Sequence, residues 1–480
     1  MSADVHLASE RPVSERGATA SRALLIVGSA VAAIAAAAYI AALATHPSGS
    51  LLNGFDLRVY LDGGAQAIHH PANLYNWEYE GHPNIKFTYT PFAALVFVLG
   101  RAIPFTAMLG LVAAVSVFAL LATIWIALRE LGWRSLVNRA GATLLLGGLT
   151  FWSEPVQRGL YLGQVELVLM ALVVWDLCQP DRRWWKGAAT GIAAGIKLIP
   201  AIFILYLLIT RRFKQAAVAI AAAVASVAIG FIGLPGTSVS YWFGGSFFEA
   251  GRTGFVGDQE NQALRGMLVR LAGSVPGGTL PWLAAALVVA VIGLAAAVAL
   301  HNSGHTLAGL MVCGLVAQLD SPISWDHHWV WFVPGLAVLV DAAVRSSPRA
   351  SGKPGASGKP GVPGTPGVPG KPGTVTSWAV TSWWYALTAV VLLLFAAWPD
   401  FWYSSAGVLQ GGLINYAPAS SWAQGDSAAF AEYHWHGLQL IAGNLYVLIG
   451  LGLLVVAAVT AFAVARSRGG IARLLRAPAP

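Results

Sequence analysis

A succession of apolar runs, each close to the length that crosses a bilayer, constrains this chain more than any other feature. The first, Ala23 to Thr45, is too long for the apolar region of a signal peptide and reads as a retained first helix. Others follow at 91–104, 105–128, 139–153, 160–177, 187–209, 215–234, 281–300, 306–319, 328–344, 377–398 and 438–465. Roughly 20 apolar residues span the hydrocarbon core. Lipid offers backbone groups no partner outside their own helix. The expectation is therefore an all-α polytopic membrane protein of about twelve transmembrane helices. Charged residues make up only 10% of the chain, against about 25% in soluble domains, too few to clothe a soluble surface.

The net charge of +8 does not imply nucleic acid, because Lys and Arg gather at the ends of apolar runs, as the positive-inside rule requires. The segment after 344 carries Arg345, Arg349, Lys353, Lys359 and Lys371 without an acid, and the C-terminal tail carries Arg466, Arg468, Arg473 and Arg476. Both are expected in the cytoplasm. Counting back places the polar stretches 46–90, 235–280, 320–328 and 399–437 together on the opposite face. Twelve spans leave Arg129–Arg139 and Arg182–Lys186 on the wrong side of that rule. The alternative is ten crossings, with 91–128 as one broken span and 187–209 as a re-entrant hairpin broken at Pro200. Glycines recur every third residue from 352 to 373, a Gly-x-y pattern read as a solvated polyproline-II-like tether. Cys178 and Cys313 lie in or beside apolar runs and suggest neither a disulfide framework nor a metal site.

Five clusters carry candidate chemistry. Gly54-Phe55-Asp56-Leu57-Arg58-Val59-Tyr60 follows the first span; near-helical recurrence of Val59, Ala65 and Ile68 suggests an amphipathic helix over 57–69 on the membrane surface. Asp56 is then either a solvated loop charge or an interfacial carboxylate able to act as a general base. In Asn84-Ile85-Lys86-Phe87-Thr88-Tyr89-Thr90-Pro91, Lys86 and Tyr89 read either as an interfacial belt or as a phosphate partner and a ring platform. Gln164, Glu166 and Lys197 stand inside apolar runs, where ionisable groups are expensive and usually functional, although Lys197 has the length to snorkel. Glu260-Asn261-Gln262-Ala263-Leu264-Arg265 reads as a capped surface helix or as polar groups for a ligand. Asp320-Ser321-Pro322-Ile323-Ser324-Trp325-Asp326-His327-His328-Trp329 packs acids, imidazoles and indoles between two spans. Adjacent His point in different directions, so a metal site is a weak reading; a His handling a proton or a phosphate beside stacking Trp is the stronger one, and ordinary interfacial packing the third.

Together these segments resemble glycosyltransferase family 87, the polyprenyl-phosphate-mannose-dependent α-1,2-mannosyltransferases of mycobacteria. The resemblance rests on Phe55-Asp56-Leu57-x-Val59-Tyr60, Phe87-Thr88-Tyr89-x-Pro91, Gly163-Gln164, Lys197-Leu198-x-Pro200, Glu260-Asn261-Gln262 and Ser321-Pro322-x-Ser324-Trp325-x-His327-His328, spanning residues 54 to about 335. It implies a GT-C bundle with its active site on the extracytoplasmic face of the cell membrane. It implies inverting transfer of mannose from a polyprenyl-phosphate donor to a phosphatidylinositol mannoside or a lipoglycan, with the family's essential aspartate at Asp56. His327 is the second expected catalytic group. Lys197, His328, Lys86, Tyr89, Gln164, Glu166, Asn261, Gln262, Arg265, Trp325 and Asp326 are expected to bind substrate or phosphate. No cofactor is expected, and a divalent metal is the less favoured reading. The apolar runs and basic segments give the expected organisation: a cytoplasmic tail 1–22, a transmembrane catalytic region 23–344, a Gly/Pro-rich cytoplasmic linker 345–376, C-terminal helices 377–465 and a cytoplasmic basic tail 466–480. A lipid-linked sugar flippase, or an arabinofuranosyltransferase using a polyprenyl-phosphate donor, remains the rival.

Overall fold

The computed structural model describes residues 15–45, 51–79, 82–248, 254–347, 375–397, 411–420 and 429–467. Most of the Gly-x-y linker, most of loop 399–437 and most of the two tails lie outside these residues. The described residues form an all-α membrane protein; its one sheet is a two-stranded ribbon. Among the described residues, six helices are long and apolar enough to cross a membrane, seven if one bent pair counts as a span. Large apolar side chains such as Phe118, Ile232 and Leu280 are exposed on these helices. They suit a lipid face, where outward-facing apolar surface carries no penalty.

The elements alternate between two poles. Helix α1 (Glu15–Thr45) is followed by α2 (Phe55–His69), the ribbon β1–β2 (Glu78–Tyr79, His82–Lys86) and α3 (Pro91–Gly100). α4 (Phe105–Glu130) starts beneath α2, with the Arg58 guanidinium 3.6 Å from the Phe105 ring, and ends where Arg129 donates to the Cys178 carbonyl at 3.2 Å. α5 (Leu136–Phe151) packs along α1: Gly28 meets Gly141, Gly148 meets Ala32, and Trp152 Nε1 donates to the Ala35 carbonyl. α6 (Glu154–Leu162) and α7 (Glu166–Leu177) meet at a bend of 116°. α8 (Ala188–Ile196), α9 (Ile202–Ile209), α10 (Phe213–Gly233), α11 (Pro235–Phe243), α12 (Leu264–Ala272), α13 (Val275–Asn302), α14 (Thr306–Asp320), α15 (Phe332–Ser346), α16 (Val375–Phe395), α17 (Leu438–Gly443) and α18 (Leu445–Ser467) complete the bundle.

One pole is basic and pinned by ion pairs. Asp181 contacts both Lys186 and Arg212. Asp341 accepts from Trp133 Nε1 at 3.0 Å and from Arg345 Nε at 2.6 Å. The ends of α4, α7, α9 and α15 therefore share this pole. Residues 187 and 212 both lie there, whereas Lys197, midway between them, touches Glu166 and His328 at the other end. Segment 187–209 is thus a re-entrant hairpin. Its turn falls where Pro200, lacking an N–H, interrupts the helical ladder. Likewise α3 has 10 residues; at 1.5 Å per residue that is about 15 Å, half the roughly 30 Å hydrocarbon core.

The hairpin agrees with the ten-crossing alternative at 187–209; by length and composition α1, α4, α10, α13, α18 and α15 with its preceding turn can each cross, and α6 with α7 makes a seventh if the bent pair is one span. This arrangement also moves Arg129–Arg139 and Arg182–Lys186 to the basic pole. At the opposite pole, stretches 46–90 and 235–280 carry α2, the ribbon, α11, α12 and the start of α13. In α2 Leu57, Val59, Tyr60, Leu61, Gly63, Gly64 and Ala67 are buried, so of the expected stripe Val59 is buried, Ala65 half-buried and Ile68 exposed.

The hairpin is clamped by a fully buried carboxylate. Asp176 accepts from the backbone N–H of Gly187 at 2.8 Å and Thr190 at 2.9 Å, and from the Thr190 hydroxyl at 2.8 Å. It thereby satisfies N–H groups at the start of α8 that have no helical partner. Asp176→Ala strands these donors at about 1–3 kcal/mol each. The variant should melt measurably below the wild type in detergent, by thermal unfolding; an unchanged midpoint contradicts the clamp.

Candidate active site

At the pole opposite the basic loops, a cavity of about 550 Å³ opens among α2, the β2–α3 segment, α6, the 197–199 break and the 322–328 turn. Two interruptions in helical geometry build it. Gly163 caps α6 in the left-handed region (φ 73°), where a side chain is strained. A Cβ there would also stand 2.8 Å from Leu57 Cβ. The turn points Gln164 at α2. At the second interruption Lys197 leaves α8 with extended backbone. Irregular backbone at this depth is tolerable because it lines a cavity.

Asp56, in the first turn of α2, is half-buried and faces the cavity. Its loop is held by Asn53 and Gly54 N–H groups donating to the Tyr161 carbonyl at 3.0 and 2.7 Å. Gln164 Nε2 donates to Asp56 Oδ2. The amide is oriented by Tyr60, whose hydroxyl donates to Gln164 Oε1 at 2.5 Å and lies 2.8 Å from the Tyr89 hydroxyl. Burial pushes the Asp56 carboxyl up to about 6, against the opposing pull of His327, Gln164 and Arg158. Burial likewise holds the Tyr60 and Tyr89 phenols well above their ordinary range, so both stay protonated donors.

Facing the carboxylate are cationic groups from distant segments. Lys197 Nζ contacts Glu166 Oε1 and lies 2.9 Å from His328 Nε2 and 5.4 Å from the Tyr89 ring centroid. Arg158 on α6 pairs with Glu260 and lies 3.8 Å from Asp326. Asp326 Oδ1 is 3.0 Å from His327 Nδ1. That contact assigns the Nδ1 proton and leaves Nε2 as the ring's second nitrogen. The His327 and His328 rings are perpendicular, with centroids 4.8 Å apart.

Of the residues expected from the sequence, Asp56, Lys86, Tyr89, Gln164, Lys197, Trp325, His327 and His328 line this one cavity. Lys86 sits at its edge, paired across the ribbon with Glu78 at 3.5 Å. Five others do not line it. Glu166 stands behind Lys197 and holds it. Asp326 is buried beneath His327. Asn261 spends its amide on the Val256 carbonyl and its oxygen on the N–H groups of Ala263 and Ser324. Gln262 bonds the carbonyls of Gln259 and Gly443 and accepts from Tyr446 N. The Asn261 side chain ties the 259–262 loop to Ser324 and that of Gln262 ties it to Gly443 and Tyr446, while Gln262 N to Ser324 O at 2.7 Å and Asp326 N to Glu260 O at 2.8 Å join the loop to the 323–326 turn. Arg265 turns away, its guanidinium 5.0 Å from the Trp282 ring. Asn261, Gln262 and Arg265 are thus outside the cavity lining where the sequence expected substrate contact.

Arg158, which sequence reasoning missed, also lines the cavity, as do Glu260 and Tyr60, which stood in the motifs without a site role of their own. Arg158 carried the same signal as Lys197, an ionisable group between apolar runs, but fell in the gap between 153 and 160. The sequence also treated metal ligation as improbable at two adjacent His. The structure adds Glu166, and ligand-type atoms of Glu166, His327 and His328 lie within 4.8 Å of one another.

A model of glycosyltransferase family 87 matches residues 87–322. A Mycobacterium tuberculosis (strain CDC 1551 / Oshkosh) protein, polyprenol-phosphate-mannose-dependent alpha-(1-2)-phosphatidylinositol pentamannoside mannosyltransferase, is 34% identical over 347 residues, covering 72% of this chain and 78% of that protein. The chain belongs to glycosyltransferase family 87. The Mycolicibacterium smegmatis protein of the same description is 35% identical, covering 60% of this chain and 69% of its own. A polyprenol-phosphate-mannose-dependent alpha-(1-2)-phosphatidylinositol mannoside mannosyltransferase of M. tuberculosis (strain ATCC 25618 / H37Rv) is 28% identical, covering 59% and 67%. No solved structure matches the chain significantly. The family match begins at Phe87, so Asp56 lies outside it; its place in this glycosyltransferase cavity rests on the geometry above.

Gly163→Ala imposes a left-handed conformation on a side chain, at about 1–2 kcal/mol, and drives a methyl into Leu57. We expect a lowered melting temperature together with loss of glycosyl transfer, since α2 and Asp56 must shift. Wild-type melting and turnover in this variant would show that the turn does not position Asp56.

Proposed function

We propose that this enzyme transfers mannose from a polyprenyl-phosphate mannose donor to the 2-hydroxyl of a mannoside on a phosphatidylinositol mannoside, with inversion at the anomeric carbon, forming an α-1,2 linkage. The names of the similar mycobacterial proteins support the donor and the acceptor class. The observation that carries the mechanism is one carboxylate facing several cationic groups across a single cavity.

In this reading Asp56 is the general base. Gln164 occupies Oδ2, which leaves Oδ1 to accept the proton of the acceptor hydroxyl. The hydroxyl oxygen attacks the anomeric carbon opposite the phosphate. As the new C–O bond forms, the bond from carbon to phosphate oxygen breaks, and polyprenyl phosphate leaves with the electron pair. Lys197, Arg158 and His327 face the charge that develops there. Their partners Glu166, Glu260 and Asp326 hold them in place before substrate arrives. In many enzymes such preorganised charge lowers the barrier more than any other effect. Tyr60, Tyr89 and Trp325 offer ring faces and phenolic donors to the sugars.

Asp56→Asn keeps the shape and removes the base, so transfer from radiolabelled polyprenyl-phosphate mannose should fall by about 10²–10⁴-fold. Because Asp56 must be ionised and its carboxyl titrates at about 6, wild-type kcat/KM should rise with pH through that value on its acidic limb. A flat profile there, or full transfer by the Asn variant, would end the assignment. Transfer from an arabinose donor alone favours the arabinofuranosyl reading.

The positive-inside pattern supports a cytoplasmic basic pole and an extracytoplasmic cavity in the cell membrane. Cys178 and Cys313 are buried, so introduced cysteines can report sidedness. Asn73→Cys should react with an impermeant maleimide in intact cells, and Arg134→Cys only after permeabilisation. The reverse pattern inverts the topology.

A further inference from the structure

Three ligand-type side chains converge behind the cavity wall, and hydrogen bonding accounts for only part of them. Glu166, His327 and His328 are 7%, 4% and 5% exposed. Glu166 Oε1 and His328 Nε2 lie 3.5 Å apart, and the Lys197 ammonium contacts both. An ammonium only donates, so His328 Nε2 must offer it a lone pair. That is the same lone pair a metal ion would take. Lys197 does not satisfy the rest. Glu166 Oε2 and His327 Nε2 are buried with no hydrogen-bond partner among the described residues. An unmatched buried acceptor costs about 1–3 kcal/mol, so a structural ion pair alone leaves this cluster unexplained.

Two imidazoles and one carboxylate with a side open to a cavity match the donor set of a zinc site that keeps a free coordination position. Imidazole ligands favour zinc, cobalt, nickel or copper over the oxygen-seeking magnesium and calcium. His327 and His328 both line the cavity, so an ion held here would reach it. The ammonium of Lys197, which approaches from the broken hairpin, lies against two of the three ligands.

We propose that Glu166, His327 and His328 form a divalent transition-metal site of the two-histidine, one-carboxylate type, and that the Lys197 ammonium occupies the cation's position in it. Metal and ammonium then exclude each other. Lys197 serves as a tethered cation in place of an exchangeable one, and its removal turns the cluster into a zinc site.

The test uses tag-free full-length protein in detergent, washed with chelator and titrated calorimetrically with zinc. Lys197→Ala should bind one zinc per chain at least about ten-fold more tightly than the wild type, a gain of the size seen when a metal site's surroundings are changed. Lys197→Met retains the side-chain volume and should behave alike if the smaller residue disturbs folding. Adding Glu166→Gln to either variant should abolish the gain. With cobalt(II) in place of zinc, the variants but not the wild type should develop the ligand-field absorption of a low-coordinate nitrogen and oxygen site. Zinc binding by both Lys197 variants no tighter than wild type, or a gain that survives Glu166→Gln, overturns the proposal. These readouts report binding alone and do not depend on the reaction assigned to the enzyme.

Discussion

A lysine ammonium held inside an apolar bundle must be paired, because an isolated buried charge costs far more than a fold can supply. Lys197 meets that constraint through Glu166 and His328, and much of the site's architecture follows. Glu166 starts α7 immediately after the Gly163 turn. His328 lies in the turn between α14 and α15. The ammonium joins the hairpin's break to the start of α7 and to the turn before α15. Arg158 performs the parallel task on the other wall by binding Glu260 and approaching Asp326.

This arrangement explains how a mostly apolar protein can concentrate polar chemistry at one end. Helical breaks release backbone and side chains from the requirement to face lipid. The breaks at Gly163 and at Lys197–Pro200 both open into the cavity. The polar segments 259–262 and 323–326 then bond to each other and fix the turn that carries His327 and His328. Asp56 approaches from α2, outside the spanning helices. The carboxylate and the cationic groups thus reside on separate elements and face one another across the cavity.

The residues legible in the sequence were those whose chemistry was out of place. Lys197, Gln164 and the His327-His328 pair stood out because polar groups are rare among apolar runs. Asp56 stood out because it followed a span. Asn261 and Gln262 were equally conspicuous, but polarity alone does not say whether a side chain faces a ligand or its own backbone. Both are spent on carbonyl and N–H groups. Arg158 was passed over because run boundaries blur by a few residues, and its neighbourhood read as a loop.

Composition and periodicity by themselves determined that the chain lives in a membrane as a helical bundle, because backbone hydrogen bonding allows only helices or closed barrels there and continuous apolar runs of about 20 residues fit the helix, not the shorter alternating strands of a barrel. They also determined that the polar stretches gather away from the basic ends. The tertiary structure alone decided that 187–209 turns back rather than crosses, since run length is the same in either case and only the contacts of residues 186, 197 and 212 distinguish them. It alone decided which polar side chains share a cavity. Such convergence depends on distances between segments that lie more than a hundred residues apart, and no local pattern encodes them.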